Sequence, residues 1–443
     1  MKRDFVQVRG TELVVNGRPL RFRGFGIGNW LNLEHFMIGL PGTESQIRRA
    51  VAAAYGPDRA DQFWDHYRTC YVGDADFAFM KRIGVNAVRI PFNHRHVEDD
   101  QRPYQYKDDA LRHVDRALDL CARHGIYAVL DLHTAPGGQS PDWHCDNDTG
   151  EALFWEYAEF RDRMVRLWRH VAARYAGNPW VAGYDLLNEP VVRGHDVSVL
   201  ADWHDRAIAA VREVDPDHVC FVEGNIYAHD FTMYRPHPDP NVAYSFHHYP
   251  FFALDKFLNP DRPAVLERDF FAVSTLAYVR DTLRRPLWCG ETGIPRTKGR
   301  LPEHEAVHAD TIRLLDRLGI SWSIWCYKDA RSMGAVVPRA DAPWMAFSRR
   351  ACQGWDFWAD FDDERRVTQL EAAHGRPLDE ALRRRLKFRD LADHQYLLTD
   401  RYPDLLATVE FDELMTYPES FLFDRCETWD AVVASVRPPS SPE

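Results

Sequence analysis

No stretch of this chain holds about 18 consecutive apolar residues, so no membrane-spanning helix is expected. The opening residues, Met1 to Gly10, lack the apolar core of a secretory leader. The eight cysteines form no Cys-x-x-Cys pair. Cys220, Cys289 and Cys326 fall in or beside apolar runs, where a reduced thiol serves as a small hydrophobe. Together these absences predict a cytoplasmic location. A basic excess is also missing. Lys and Arg number 55 against 67 Asp and Glu, a net charge of −12, which offers no field to nucleic acid. Gly24-Phe25-Gly26-Ile27-Gly28 is not a Gly-x-Gly-x-x-Gly fingerprint, and no acidic partner follows at the needed spacing. There is no His-Glu-x-x-His string and no His/Asp cluster with metal-ligand spacing. Neither a metal nor an organic cofactor is expected.

What is present is ordinary globular composition with many aromatics. Hydrophobic residues make up 45% and charged residues 28%, while aromatics reach 13%, with 14 Trp and 18 Tyr. Trp and Tyr in excess suit a cleft that stacks against flat apolar ligand faces.

Along the chain, residues 5 to 22 read as a hairpin around an Asn16-Gly17 turn, placed to plug the bottom of a barrel. Eight short apolar runs follow: 22–27, 85–91, 126–132, 183–187, 218–222, 242–246, 286–290 and 321–325. Amphipathic stretches lie between most of them. Leu111, Val114, Leu118 and Cys121 keep helical spacing, as do Met164, Leu167, Trp168 and Val171. The short Pro-rich link between the fifth and sixth runs predicts a turn in place of a helix. Uniformly apolar strands alternating with helices imply a parallel sheet covered outside, and eight of them imply a closed (β/α)8 barrel, an α/β fold. Two insertions, 28–74 and 326–355, follow the first and eighth runs and are expected to rise over the catalytic face. The predicted organisation is a catalytic barrel over 1–355, a charged helical extension packed on it over 356–435, and a disordered tail over 436–443.

Two of the apolar runs end on a glutamate followed by a strand breaker. Glu189 closes Gly183-Tyr184-Asp185-Leu186-Leu187-Asn188-Glu189-Pro190, and Glu291 lies in Leu287-Trp288-Cys289-Gly290-Glu291-Thr292-Gly293. Such a carboxylate sits at a strand's C-terminal end, the catalytic face of a barrel. Two carboxylates converging there are what retaining glycoside hydrolysis needs. Arg89 in Val88-Arg89-Ile90-Pro91 ends the second run, and an unpaired Arg in so apolar a strand would be costly. His133 ends the third in Leu132-His133-Thr134-Ala135-Pro136-Gly137. His247 and Tyr249 follow the sixth in His247-His248-Tyr249, with His248 turned away by strand alternation. Trp325 ends the eighth.

With these motifs at consistent strand ends, residues 10–330 resemble glycoside hydrolase family 5. The resemblance implies an acid/base after strand four, Glu189, and a nucleophile after strand seven, Glu291. It implies that Arg89 binds the nucleophile carboxylate, that Tyr249 donates to it, and that His247 lines the cleft. His133 is expected to bond a sugar hydroxyl or the Arg89 neighbourhood, Asn188 to donate to the sugar 2-hydroxyl, and Trp325 to form a stacking floor. Glu189 is expected to be kept protonated by partial burial and its charged neighbour. Weaker assignments fall on Trp30 and Glu34, in a string similar to the exo-glucanase branch, and on Lys328 and Asp329 as hydroxyl ligands.

The loop Trp325-Cys326-Tyr327-Lys328-Asp329 resembles the bacterial β-mannosidase-like branch of the family. With no export signal and two capping loops, the expected enzyme releases single sugars from short β-linked oligosaccharides, β-mannosides ahead of β-glucosides. Its partner is a small oligosaccharide or glycoside. An open-grooved endo-cellulase or mannanase is the alternative, and a carbohydrate-binding pseudoenzyme a remote one, opposed by both glutamates and Arg89 being intact.

Overall fold

The structure is a computed structural model that describes residues 5–193, 196–273, 275–296, 300–352 and 365–437. Eight parallel strands close into a barrel in chain order: Arg23–Gly26, Ala87–Asn93, Tyr127–Thr134, Val181–Asp185, Val219–Glu223, Val242–His247, Leu287–Thr292 and Ser321–Ile324. Closure comes from pairing of the eighth with the first, with Trp322 opposite Arg23 and Ile324 opposite Phe25. Each strand coincides with one of the eight apolar runs. The chain is the (β/α)8 barrel its pattern predicts.

Before the barrel lies a three-stranded antiparallel sheet, Gln7–Arg9, Glu12–Val15 and Arg18–Leu20. Asn16 and Gly17 both have positive φ, 52° and 71°, as a two-residue hairpin turn of matching twist requires. Val6 and Leu13 pack against Ala87, Tyr127, Ala182, Val219 and Ala243 near the strand starts, so this sheet stoppers the bottom. The link after the fifth strand is the expected turn. It is one short helix, Asn225–Ala228, in which Ile226, Tyr227 and Ala228 are left-handed, before the Pro-rich stretch.

The first insertion carries two main helices, Glu44–Tyr55 and Pro57–Tyr71. They pack in an aromatic seam of Phe63, Trp64, Tyr67, Trp344 and Phe421, and the first of them begins at the strand ends, where Glu44 accepts from Asn93. The stretch before them sets Phe36 and Met37 against Trp325. The eighth-strand loop is tied to the C-terminal segment by a ladder between Val336–Pro338 and Cys426–Thr428. Of the helical extension expected over 356–435, residues 356–364 lie outside the described residues. Helices Arg365–His374 and Glu380–Thr399 follow. Of the tail expected to be disordered, 438–443 also lie outside the described residues, while Val436 ends the last helix with its side chain buried. All eight cysteines are free. Among the described residues no helix is long and apolar enough to cross a membrane.

Candidate active site

The strand ends bring one cation into contact with four carboxylates. Arg89, fully buried on the second strand, donates through Nη1 to Glu291 Oε1 at 2.5 Å and through Nε to Asp185 Oδ2 at 2.9 Å. Its Nη2 reaches Asn188 Oδ1 at 2.8 Å, Glu223 Oε1 at 3.1 Å and Asp131 Oδ2 at 3.2 Å. A guanidinium is always charged and presents five donors in a fixed fork, so it can orient several acceptors at once. Because Asn188 gives its oxygen to Arg89, the donor end of its amide is defined. Tyr249 donates to the other oxygen, Glu291 Oε2, at 2.6 Å. Both oxygens of Glu291 are thus held.

Glu189 is held differently. Its backbone is left-handed, with φ 45°. His247 Nδ1 lies 2.6 Å from its Oε1, and His144 Nε2 lies 3.4 Å from its Oε2. An oxygen of Glu189, an oxygen of Glu291 and a His247 nitrogen all lie within 4.8 Å of one another. This is the one trio of potential metal ligands among the described residues, and hydrogen bonds already engage its members.

Protonation departs from the sequence expectation. Burial opposes charge on both Glu189 and His247, but mutual attraction outweighs it. The carboxyl of Glu189 is drawn below its usual range by His247, while Glu223, Glu291 and Glu189 hold His247 well above its own. The proton of this pair therefore sits on His247, not on Glu189. His144, by contrast, is pushed down by burial to about 4 and is neutral.

The pocket floor is built from His133, Trp325 and Glu34. The His133 and Trp325 rings stack with centroids 5.2 Å apart. A Cβ on Gly26, which ends the first strand, or on Gly28 just past it would come within 2.5 to 2.7 Å of the Trp325 ring, so glycine at both positions seats it. His133 Nδ1 lies 2.7 Å from Asp131 Oδ2 and its Nε2 lies 3.5 Å from Glu34 Oε1. Burial opposes its charge, but Asp131 and Glu34 overcome it and lift its pKa to about 10. Glu34 is pushed up to about 7, by burial first and by Glu291 and Glu189 as well, against His133.

Thus Glu189, Glu291, Arg89, His133, Asn188, His247, Tyr249, Trp325 and Glu34 share one site. His248 turns away against Phe270, as alternation predicts. Three assignments are corrected. Trp30 is core: its indole donates to the Arg68 carbonyl at 2.9 Å. Lys328 is fully buried, with Nζ donating to Asp76 Oδ1 and to the carbonyls of Tyr71 and Phe421. Asp329 accepts from the backbone N–H groups of Ser332 and Met333 and shapes its own loop. Neither is a hydroxyl ligand.

Several residues escaped the sequence reading. Glu223 ends the fifth strand before Gly224, the same carboxylate-then-breaker signal that marks Glu189 and Glu291. Asp131 and Asp185 are charges inside apolar strands, which is itself a signal. Gln139 and His144 lie in the irregular loop after strand three, where no periodicity marks them. Gln139 joins the carbonyls of His133 and Asn188 at 2.8 and 2.9 Å.

Comparison with known proteins agrees with this geometry. A cellulase model of glycosyl hydrolase family 5 matches residues 56–331. The chain is 35% identical to a β-xylosidase of Phanerodontia chrysosporium, over 97% of this chain and 94% of that one. It is 25% identical to endoglucanase C of Acetivibrio thermocellus, over 60% of this chain and 86% of the relative. In three dimensions an endoglucanase of Thermotoga maritima superposes with a TM-score of 0.53 at 19% identity, covering 71% of this chain and 91% of the other. The chain belongs to glycosyl hydrolase family 5, and it is a glycoside hydrolase.

Proposed function

We propose that this enzyme is a retaining, exo-acting β-glycosidase with Glu291 as nucleophile and Glu189 as acid/base. The observation that carries the reading is the pair of carboxylates brought within 4.8 Å. Retaining enzymes place the two about 5 Å apart, too close for an intervening water. Glu291, with Arg89 and Tyr249 on its two oxygens, attacks the anomeric carbon. The glycosidic oxygen leaves with a proton from Glu189. Glu189 then takes a proton from water, which releases the sugar with its configuration kept. Asn188 and Glu34 bond sugar hydroxyls, and the apolar sugar face lies on Trp325.

Exo action is supported by closure of the floor. Glu34, His133 and Trp325 retain 5%, 1% and 3% exposure, in keeping with a pocket for one sugar rather than a groove. β-Xylosides are placed first, because the relative matched over nearly both whole chains is named a β-xylosidase. The case for β-mannosides rested on the eighth-strand loop, and its Lys328 and Asp329 face inward. Eight free thiols support a reducing, cytoplasmic setting.

Aryl β-xyloside, β-glucoside, β-mannoside and β-galactoside, with the first product's anomer read by NMR, test this reading. A β-configured first product and fastest xyloside turnover are expected. An α-anomer would refute retention, and faster mannoside turnover would restore the mannoside preference. Cleavage inside an end-blocked oligosaccharide would refute exo action and favour the endo reading.

A further inference from the structure

Glu223 has no part in the double displacement above, yet its two oxygens face two parts of the acid machinery. It is fully buried at the end of the fifth strand. Oε2 accepts the backbone N–H of Glu189 at 2.7 Å. That contact pins a left-handed residue, a strained conformation for a non-glycine residue that persists only where its surroundings enforce it. Oε1 lies 3.2 Å from His247 Nε2, an ion pair rather than an aligned hydrogen bond, and 3.1 Å from Arg89. The far nitrogen of the same imidazole meets the Glu189 carboxylate.

We infer that Glu223 is a positioning residue that sets the acid: it fixes the Glu189 backbone and keeps on His247 the proton that Glu189 delivers. The inference rests on the acid/base reading of Glu189. His247 is faced by Glu189 from strand four, Glu223 from strand five and Glu291 from strand seven. Behind these stand Arg89, Asp185, His144 and His229. Three carboxylates around one imidazole favour its charged form. As the glycosidic C–O bond breaks, His247 Nδ1 hands its proton to Glu189, which passes it to the departing oxygen, so both side chains end the step without it. In the second half, water gives a proton to Glu189 and thence to His247. The water oxygen bonds the anomeric carbon while the Glu291–sugar bond breaks. The proton count closes.

The sign of the test follows. Removing the Glu223 charge weakens the hold of the His247–Glu189 pair on its shared proton, so the pair deprotonates at lower pH. We compare wild type, Glu223→Gln and Glu223→Asp on two aryl glycosides, a nitrophenolate-type good leaving group and an alkyl-substituted phenolate that needs protonation. For the poor leaving group, Glu223→Gln moves the basic limb of kcat/KM down by about one pH unit and lowers its plateau on the order of 10²-fold. The good leaving group is far less affected, and Glu223→Asp keeps the limb in place. An unmoved limb, or equal losses on both substrates in step with melting temperature, overturns the inference. Imidazole ¹⁵N shifts of His247 in the wild type provide a test that needs no variant. They must report imidazolium at every pH below the basic limb, and a neutral ring there overturns it too. A wild type inactive on every glycoside sinks the functional reading itself, whereas an active wild type with an unmoved limb in the variant sinks the role of Glu223 alone.

Discussion

Arg89 and Lys328 are both fully buried cations, yet their surroundings differ in kind. Lys328 has one carboxylate, Asp76, and two backbone carbonyls for its three N–H donors. Charge and hydrogen bonds balance, and the group ties the first insertion, the eighth-strand loop and the C-terminal segment together. Arg89 faces four carboxylates from four other strands, with Asn188 as well. One positive charge cannot balance four ionised carboxylates, so the excess must be met by protons: burial and Glu223 push the Asp185 carboxyl well above its usual range, against Arg89, and His133 and His247 are held charged beside it. A balanced buried pair is scaffold. An unbalanced cluster that stores protons at the mouth of a pocket is chemistry, and its electrostatic cost is one the rest of the barrel must offset.

Breaking the unbalanced cluster produces the largest effects. Glu291→Ala removes the proposed nucleophile, and turnover falls on the order of 10⁴-fold or more. Glu189→Ala differs by leaving group. An activated aryl glycoside still forms the glycosyl-enzyme, and added azide restores turnover as a β-glycosyl azide. A β-azide from Glu291→Ala instead would show the roles to be reversed. Arg89→Met follows. It abolishes activity and also destabilises the fold by about 3–5 kcal/mol, because the carboxylates around it lose their partner. Denaturant melts together with kcat/KM check both losses, and a variant with wild-type melting would contradict the four-carboxylate contact.

Lys328→Met sharpens the contrast from the other side. Asp76 loses its partner and the fold loses a similar amount, about 3–5 kcal/mol. The molecules that remain folded keep kcat and KM. A raised KM at full folding would return Lys328 to the sugar pocket.

The same contrast explains what was legible in the sequence. The barrel was readable because each strand is apolar throughout, and the catalytic glutamates because a breaker stops the strand right after each. Glu223-Gly224 carries that very mark, but reading the fifth run only to Val222 left it out. Asp131 and Asp185 lie inside runs read as apolar throughout, although alternation places Asp131 on the same face as His133. Lys328 and Asp329 misled because they stand next to Trp325 in sequence. Past the end of a strand, however, alternation no longer dictates direction, and the chain there turns inward to pair Lys328 with Val336. Trp30 failed in the same way: its loop has no period, and the indole is spent on the Arg68 carbonyl. Gln139 and His144 lie in a loop whose conformation only tertiary contacts decide.

Glu34 belongs to the cluster but sits at its edge, and it yields the smallest of these effects. Its pKa is raised to about 7 in the folded protein, first by burial, then by Glu291 and Glu189, against His133. Unfolded, it titrates near 4.3. Between those values the folded state holds a proton that the unfolded state has lost, so stability falls as pH rises from about 4.3 toward 7, and the loss is complete above 7. Glu34→Gln removes this titration while keeping size and one acceptor. The variant should match the wild-type melting temperature at pH 4 to 5 and exceed it at pH 8, by a few degrees at most for a chain of this length. KM should rise, since a sugar hydroxyl loses a charged acceptor. Equal melting temperatures of variant and wild type across the pH range would show that the Glu34 carboxyl titrates normally and is better solvated than the buried pocket wall described above.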